Sequence, residues 1–391
     1  MKKDTEIVTS GRKPEEHSGI VNPPVYHAST VLFPTVEALR KAIRAPFDCV
    51  YYGRIGTPTS FAFEEAMTEL EGGYRSVSVS SGLAAITIAL MATLRCGDHL
   101  LMVDTAYNPT RKFCEIALAG LGVETTFYDP LAGAGIAELI RPETKVIFLE
   151  SPGSLTFEVQ DIPAIAAVAR KRGVTTIMDN TYATPLFFQP FKHGVDIIVH
   201  AATKYIAGHS DAMLGAIVTS NEKTFDAVKT MAVALGNSAG AEELFFGLRG
   251  LRTLSVRLAR HQETGIKLAQ WLQKRPEVAR VIHPALASDP NHALWKRDFS
   301  GANGLFAMIL KPVPPNAVAA MLDGMKLFGM GFSWGGFESL ILPVEPWISR
   351  TATKWSEKGP YIRIHAGLED VSDLIADLEA GFERLNAAAK A

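Results

Sequence analysis

Between residues 57 and about 220, short apolar runs alternate with stretches of helical period. The runs at 76–80, 99–103, 124–128, 145–150, 175–178, 196–200 and 212–219 have the length of strands. Residues 83–94, 110–121 and 162–172 repeat their apolar positions at helical spacing. Strand, helix, strand at this spacing predicts βαβ units and a mainly parallel central sheet with flanking helices. A long helical region follows at 242–274, and the order then turns irregular. Residues 304–310, 325–328, 339–342 and 361–365 read as strands, and the closing "EDVSDLIADLEAGFERLNAAAK" as an amphipathic helix. Before residue 57 the chain is rich in proline and aromatics ("NPPVYHASTVLFP", "FDCVYYGRIGTPT") and reads as an extended arm, broken by a helix candidate at 36–44. The expected architecture is α/β in three parts: an N-terminal arm (1–56), an α/β domain (57–245) and a smaller α+β domain (246–391).

Length and composition narrow the function classes. A chain of 391 residues can hold two cores. A formal net charge of -2 leaves no electrostatic footprint for nucleic acid or an anionic membrane. The first nineteen residues are charged and lack the apolar core of a secretory signal. No apolar run approaches the roughly 18 residues of a membrane span. Cys49, Cys96 and Cys114 are scattered, and the ten histidines show no i,i+4 pair, so neither disulfides nor a metal is expected. The expectation is a cytoplasmic protein acting on a small molecule.

The chemistry gathers at strand ends. In open parallel sheets, ligands collect beyond the carboxyl ends of the strands. Asp179 follows "TTIM" and Lys204 follows "DIIVHAAT", one βαβ crossover apart. Adjacent strands would present a carboxylate and an amine to one crevice. Burial lowers a lysine's pKa and frees its amine for a Schiff base. A lysine Schiff base beside an aspartate on the ring nitrogen is what pyridoxal phosphate requires. Its phosphate needs a cradle, and "SVSSGLAAI" supplies one: a strand ends at Ser80 and Ser81, Gly82 permits close approach, and Leu83 opens a helix whose N–H groups favour an anion. The plain alternative is that Ser81 is an ordinary N-cap. Tyr107, after "HLLMVD", could stack on a planar ring. In "PYIRIHAGLED", Tyr361, Arg363 and His365 share one strand face, where Arg363 could clamp a carboxylate or lie on an exposed edge.

Two other classes compete. "GFSWG" matches the G-x-S-x-G elbow of serine hydrolases, with Ser333, Glu345 and His365 in the order such triads follow. That elbow leads into a helix, whereas "GGFESLILPVEP" reads as a turn and a strand. A non-catalytic protein that stores or senses pyridoxal phosphate would need none of the catalytic groups present here. Neither G-x-x-x-x-G-K-[ST] nor G-x-G-x-x-G occurs, which argues against a nucleotide.

Taken together these residues resemble the Cys/Met-metabolism family of pyridoxal-phosphate enzymes, of fold type I, over nearly the whole chain. "ATKYIAGHSDAMLG" is specific to that family, and "GHSDAM" with "FSWGGFESLI" resembles its β-eliminating branch. That branch cleaves L-cystathionine to homocysteine, pyruvate and ammonia in methionine biosynthesis. Members acting at the γ carbon more often carry Leu where Trp334 stands. The alternatives within the family are cystathionine γ-lyase, methionine γ-lyase, cystathionine γ-synthase and O-acetylhomoserine sulfhydrylase. The resemblance implies pyridoxal 5'-phosphate as cofactor. Lys204 would carry it, Asp179 would pair with the ring nitrogen, and Tyr107 would stack. Gly82, Leu83 and the Thr203 hydroxyl would hold the phosphate. Tyr52 and Arg54 would reach the phosphate of a neighbouring subunit, implying a site shared across a dimer and a homotetramer built from such dimers. Arg363 would bind the substrate α-carboxylate, helped by Ser333 and Trp334. Ala201 and Ser154 stand where many relatives have Ser and Asn, which bears on cofactor affinity. Arg111 and Lys112 stand where some lyases are acidic, so the distal end of the substrate is expected to be read differently here.

Overall fold

The structure is a computed structural model that describes residues 1–390. Its central sheet has seven strands: β1 (Arg75–Val79), β2 (His99–Val103), β3 (Glu124–Tyr128), β4 (Thr144–Glu150), β5 (Thr175–Asp179), β6 (Ile197–Ala201) and β7 (Gly215–Thr219). Their spatial order is β1-β7-β6-β5-β4-β2-β3. Only β7 runs antiparallel to its neighbours. β2 is buried on both faces, which is why it reads as a continuous apolar run without alternation. Crossover helices start on side-chain caps: Ser81 accepts the Ala84 N–H, Asp161 that of Ala164 and Asn221 that of Thr224.

The second sheet is antiparallel, in the order β10-β11-β9-β8, from β8 (Val278–Ile282), β9 (Leu305–Leu310), β10 (Leu340–Val344) and β11 (Tyr361–His365). The closing helix, Val371–Ala388, packs Leu374, Leu378 and Phe382 into this second core. One helix, Leu254–Leu272, joins the two cores: Leu254 and Leu258 belong to the first, Leu268 and Leu272 to the second.

Several elements depart from the pattern reading. Residues 325–328 form no strand, because the N–H groups of Lys326, Leu327 and Phe328 all converge on the Asp377 carboxylate. A chain whose consecutive N–H groups point at one acceptor cannot offer them alternately to a ladder. Strand β8 was not anticipated. The helical region at 242–274 is two helices, Ala241–Leu251 and Leu254–Leu272. The arm is not extended at its start: Lys3–Thr9 is a helix with Ile7 buried, and Arg252 donates to the carbonyls of Ile7 and Ser10. Beyond it, residues 18–35 are mostly exposed and carry no helix or strand. No helix among the described residues is long and apolar enough to cross a membrane.

Candidate active site

The carboxyl ends of β2, β4, β5 and β6 open into a cavity of about 700 Å³, closed on its far side by residues 332–334 and 344–350 of the second domain. Lys204 lies three residues past β6. Its Nζ donates to Ser333 Oγ at 2.5 Å and sits 5.3 Å from the centre of the Trp334 ring. Burial, seconded by the Arg363 charge, lowers the Lys204 pKa to about 8 against the opposing pull of Asp179. A usable fraction of neutral amine is therefore present near neutral pH.

Asp179 ends β5 and accepts the Thr181 N–H at 2.9 Å. Burial pushes its pKa up; the Thr181 contacts, His200 and Lys204 work against that push. Glu150, in register with Asp179 on β4, accepts the Tyr107 N–H at 2.8 Å. Burial and then the Asp179 charge raise Glu150 well above the usual carboxylate range. Below them His200 meets Glu71 at 2.6 Å, and Asn180 donates to the same Glu71 oxygen.

The cradle at the end of β1 has a close-packed reason. A Cβ on Gly82 would lie 2.3 Å from the Cβ of Ala201, so glycine is what lets the helix start approach β6. Ser81 is indeed the N-cap, taking the Ala84 N–H. Among the described residues the N–H groups of Gly82 and Leu83 have no partner, and both residues line the cavity. The N-cap reading and the anion cradle thus hold together. Thr203 lines the cavity, but its hydroxyl donates to the Leu214 carbonyl and accepts the Leu214 N–H, so donating to an anion requires it to turn.

Arg363 lies on β11, which sits between β10 and β9, so it is not on an edge. Its Nη2 donates to the Ser333 carbonyl at 2.8 Å, and the side chain faces the cavity. Ser333 thus joins both groups, its hydroxyl to Lys204 and its carbonyl to Arg363. It holds a left-handed φ of 79°, an uncommon conformation for a residue with a side chain.

For Tyr52 and Arg54 the expectation concerns a neighbouring subunit's site, not their own chain's. Tyr52 and Arg54 border a separate cavity of about 350 Å³ with Glu64, Lys229 and Asn237, and Arg54 donates to the Val233 carbonyl. They do not line the Lys204 cavity of their own chain. Arg111 and Lys112 lie outside the Lys204 cavity as well. Arg111 is buried against the Phe127 ring and ion-paired with Asp104 at 3.0 Å, while Lys112 points outward to Glu115. Neither lines the cavity, so neither is placed to read a substrate.

The hydrolase alternative fails on geometry. Gly331–Gly335 leads into no helix, and His365 has both ring nitrogens engaged by backbone: Nε2 accepts the Gly335 N–H and Nδ1 meets the Glu338 carbonyl. Burial holds His365 well below the usual imidazole range. Sequence reading missed Glu150, Thr181 and Arg350 as cavity residues. Glu150 was discoverable, since it ends a parallel strand as Asp179 does. Arg350 was not, because it follows the last turn of an irregular segment.

An amine of lowered pKa, a carboxylate beneath, an aromatic ring and a pair of free N–H groups fit pyridoxal phosphate in kind and arrangement. Fold and site together define a pyridoxal-phosphate enzyme. The chain belongs to the Cys/Met metabolism PLP-dependent enzyme family, whose profile matches residues 4–383. It is 44% identical over 391 residues to the cystathionine beta-lyase of Escherichia coli (strain K12), covering 98% of this chain and 99% of that one. A Rhizobium johnstonii protein, named only provisionally as a cystathionine beta-lyase, is 48% identical over 98% of this chain and 96% of its own length. Among solved structures, the cystathionine gamma synthase of Xanthomonas oryzae pv. oryzae, in complex with aminoacrylate and cysteine, superimposes with a TM-score of 0.91 at 30% identity, covering 99% of each chain.

Proposed function

We propose that this enzyme cleaves L-cystathionine by β-elimination, with water yielding L-homocysteine, pyruvate and ammonia. The observation that carries the reading is the linked set Lys204–Ser333–Arg363, a base and a carboxylate clamp held by one residue. Bound pyridoxal phosphate supplies the sink for the electrons released at Cα. The remaining steps fall to the chain's own groups. Arg363 turns its planar fork to the α-carboxylate and fixes the orientation of Cα. Lys204 Nζ, with its pKa near 8, takes the Cα proton. The Cβ–sulfur bond breaks with its electron pair on sulfur, and Lys204 or the Tyr107 hydroxyl returns a proton there. Asp179 would pair with the cofactor's ring nitrogen and keep it protonated. Ser333 steers the Lys204 amine, and Trp334 shields it from water.

Trp334 and the lyase names of the relatives support β- over γ-cleavage. Tyr52 and Arg54, facing away from their own Lys204 cavity, are proposed to complete a neighbour's phosphate site in a homotetramer of dimers. A cytoplasmic setting follows from the reading as a metabolic enzyme. The test is to incubate the holoenzyme with L-cystathionine and identify the products. Pyruvate with homocysteine is expected; 2-oxobutyrate with cysteine would move the enzyme to γ-cleavage.

A further inference from the structure

The cavity holds two guanidinium groups, and an amino acid with one carboxylate needs only one. Arg363 is matched to the α-carboxylate. Arg350 is the other, and nothing in the proposed reaction uses it. It lies on the segment after β10, across which the second domain walls the cavity. That segment is clamped in place. The buried carboxylate of Asp104, at the end of β2, accepts the N–H groups of Thr351, Ala352 and Thr353 and the hydroxyls of Thr351 and Thr353. Arg111 neutralises Asp104 from below and donates to Thr351 as well. The residue next to Arg350 is therefore fixed to the floor of the first domain.

The side chain is fixed too. Arg350 Nη2 donates to Glu158 at 2.5 Å and to the Thr156 hydroxyl at 3.0 Å. Among the described residues Nε and Nη1 have no hydrogen-bond partner, the guanidinium carbon lies 5.9 Å from the centre of the Trp355 ring, and Arg350 is one of the residues lining the cavity. A guanidinium held by one nitrogen, with its other donors free toward a ligand space, is a preorganised anion site.

We infer that Arg350 binds the distal carboxylate of a two-ended amino acid substrate, with Glu158, Thr156 and the Asp104 clamp as its positioning residues. The inference rests on the lyase reading and deepens it: cystathionine carries one α-amino carboxylate at each end, and the two arginines address one end each. It gives the distal end a reader other than Arg111 or Lys112, neither of which lines the cavity.

The test compares Arg350→Met with the wild-type holoenzyme on L-cystathionine and on S-ethyl-L-cysteine, which lacks the distal carboxylate. Loss of a charged hydrogen bond should raise KM for cystathionine about 10- to 100-fold. kcat and all constants for S-ethyl-L-cysteine should stay within about threefold, and Arg350→Lys should recover part of the loss. Calorimetric titration with 2,7-diaminooctanedioate, which has no carbon–sulfur bond to break, should show the same loss in Arg350→Met. Binding of 2-aminooctanoate should be unchanged. Equal damage to both substrates, or to neither, would overturn the inference. If the wild type releases no pyruvate from cystathionine, the lyase reading fails. The inference then stands or falls on the titration: it survives only if Arg350→Met selectively weakens the diacid.

Discussion

Lys204 carries a charge that its surroundings disfavour, and that has a measurable consequence. Its folded pKa near 8 lies below the ordinary lysine value. Below pH 8 both folded and unfolded chains are protonated, so the folded chain bears the full burial penalty. As pH rises from 8 toward about 10.4, the folded lysine loses its proton first and the penalty disappears, so stability should rise. Lys204→Met should therefore raise the melting temperature of the cofactor-free protein at pH 7, with the gain shrinking toward pH 10. The same variant should lose both turnover and the Schiff-base absorbance. Thermal melts of the two proteins across that range decide it; a variant less stable at pH 7 would mean that Asp179 and Ser333 already compensate for burial. The trade of stability for a reactive amine is common where function needs a strained site.

Among the elements, the helix Gly82–Thr93 is the one on whose seating the proposed phosphate cradle would depend. Its N-terminal N–H groups can serve a phosphate only if the helix approaches β6 at Ala201, and the Gly82–Ala201 contact leaves no space for a methyl group. Gly82→Ala should push the helix start outward and weaken pyridoxal-phosphate retention by about tenfold or more, the scale of losing one or two charge-assisted bonds. Adding Ala201→Gly removes the nearest clashing atom and should recover part of that affinity. Equilibrium dialysis of the two variants would measure this. An unchanged affinity in Gly82→Ala would place the phosphate elsewhere. The pairing of glycine with alanine also bears on Ala201 itself: a larger side chain there would meet the same helix start.

For the molecule as a whole, the distribution of exposed apolar residues sets the question of partners. Leu32 is 89% exposed and Val36 is 65% exposed, both on the segment leading to Tyr52 and Arg54. Large exposed apolar side chains on this segment are the kind of surface a partner subunit would cover. If Arg54 serves a neighbour's site, Arg54→Ala and Lys204→Met are each inactive but damage different chains of one composite site. Dissociating and remixing the two variants should restore about a quarter of the wild-type activity. Random pairing makes half the dimers mixed, and each of those has one intact site of two. Zero recovery, with mixed dimers verified by mass, would confine each site to one chain.

The alternation of apolar runs and helical stretches was enough to declare a parallel α/β sheet, because strands buried on both faces need continuous apolar sequence. Lys204 and Asp179 were legible for a related reason: the ends of such strands are where polar groups can stand. Glu150 obeys the same rule. Local sequence did not determine which faces of the short helix after Tyr107 look inward, so the pairing of Arg111 with Asp104 was not legible. Nor did it reveal that three N–H groups near residue 326 share one acceptor 50 residues away. Arg350 illustrates the limit best. Its placement depends on Asp104, about 250 positions distant, closing five hydrogen bonds onto its neighbours. Periodicity reports how a segment meets an environment of one kind, whereas a site assembled from both domains depends on contacts between residues far apart in the chain, and only the folded chain brings those together.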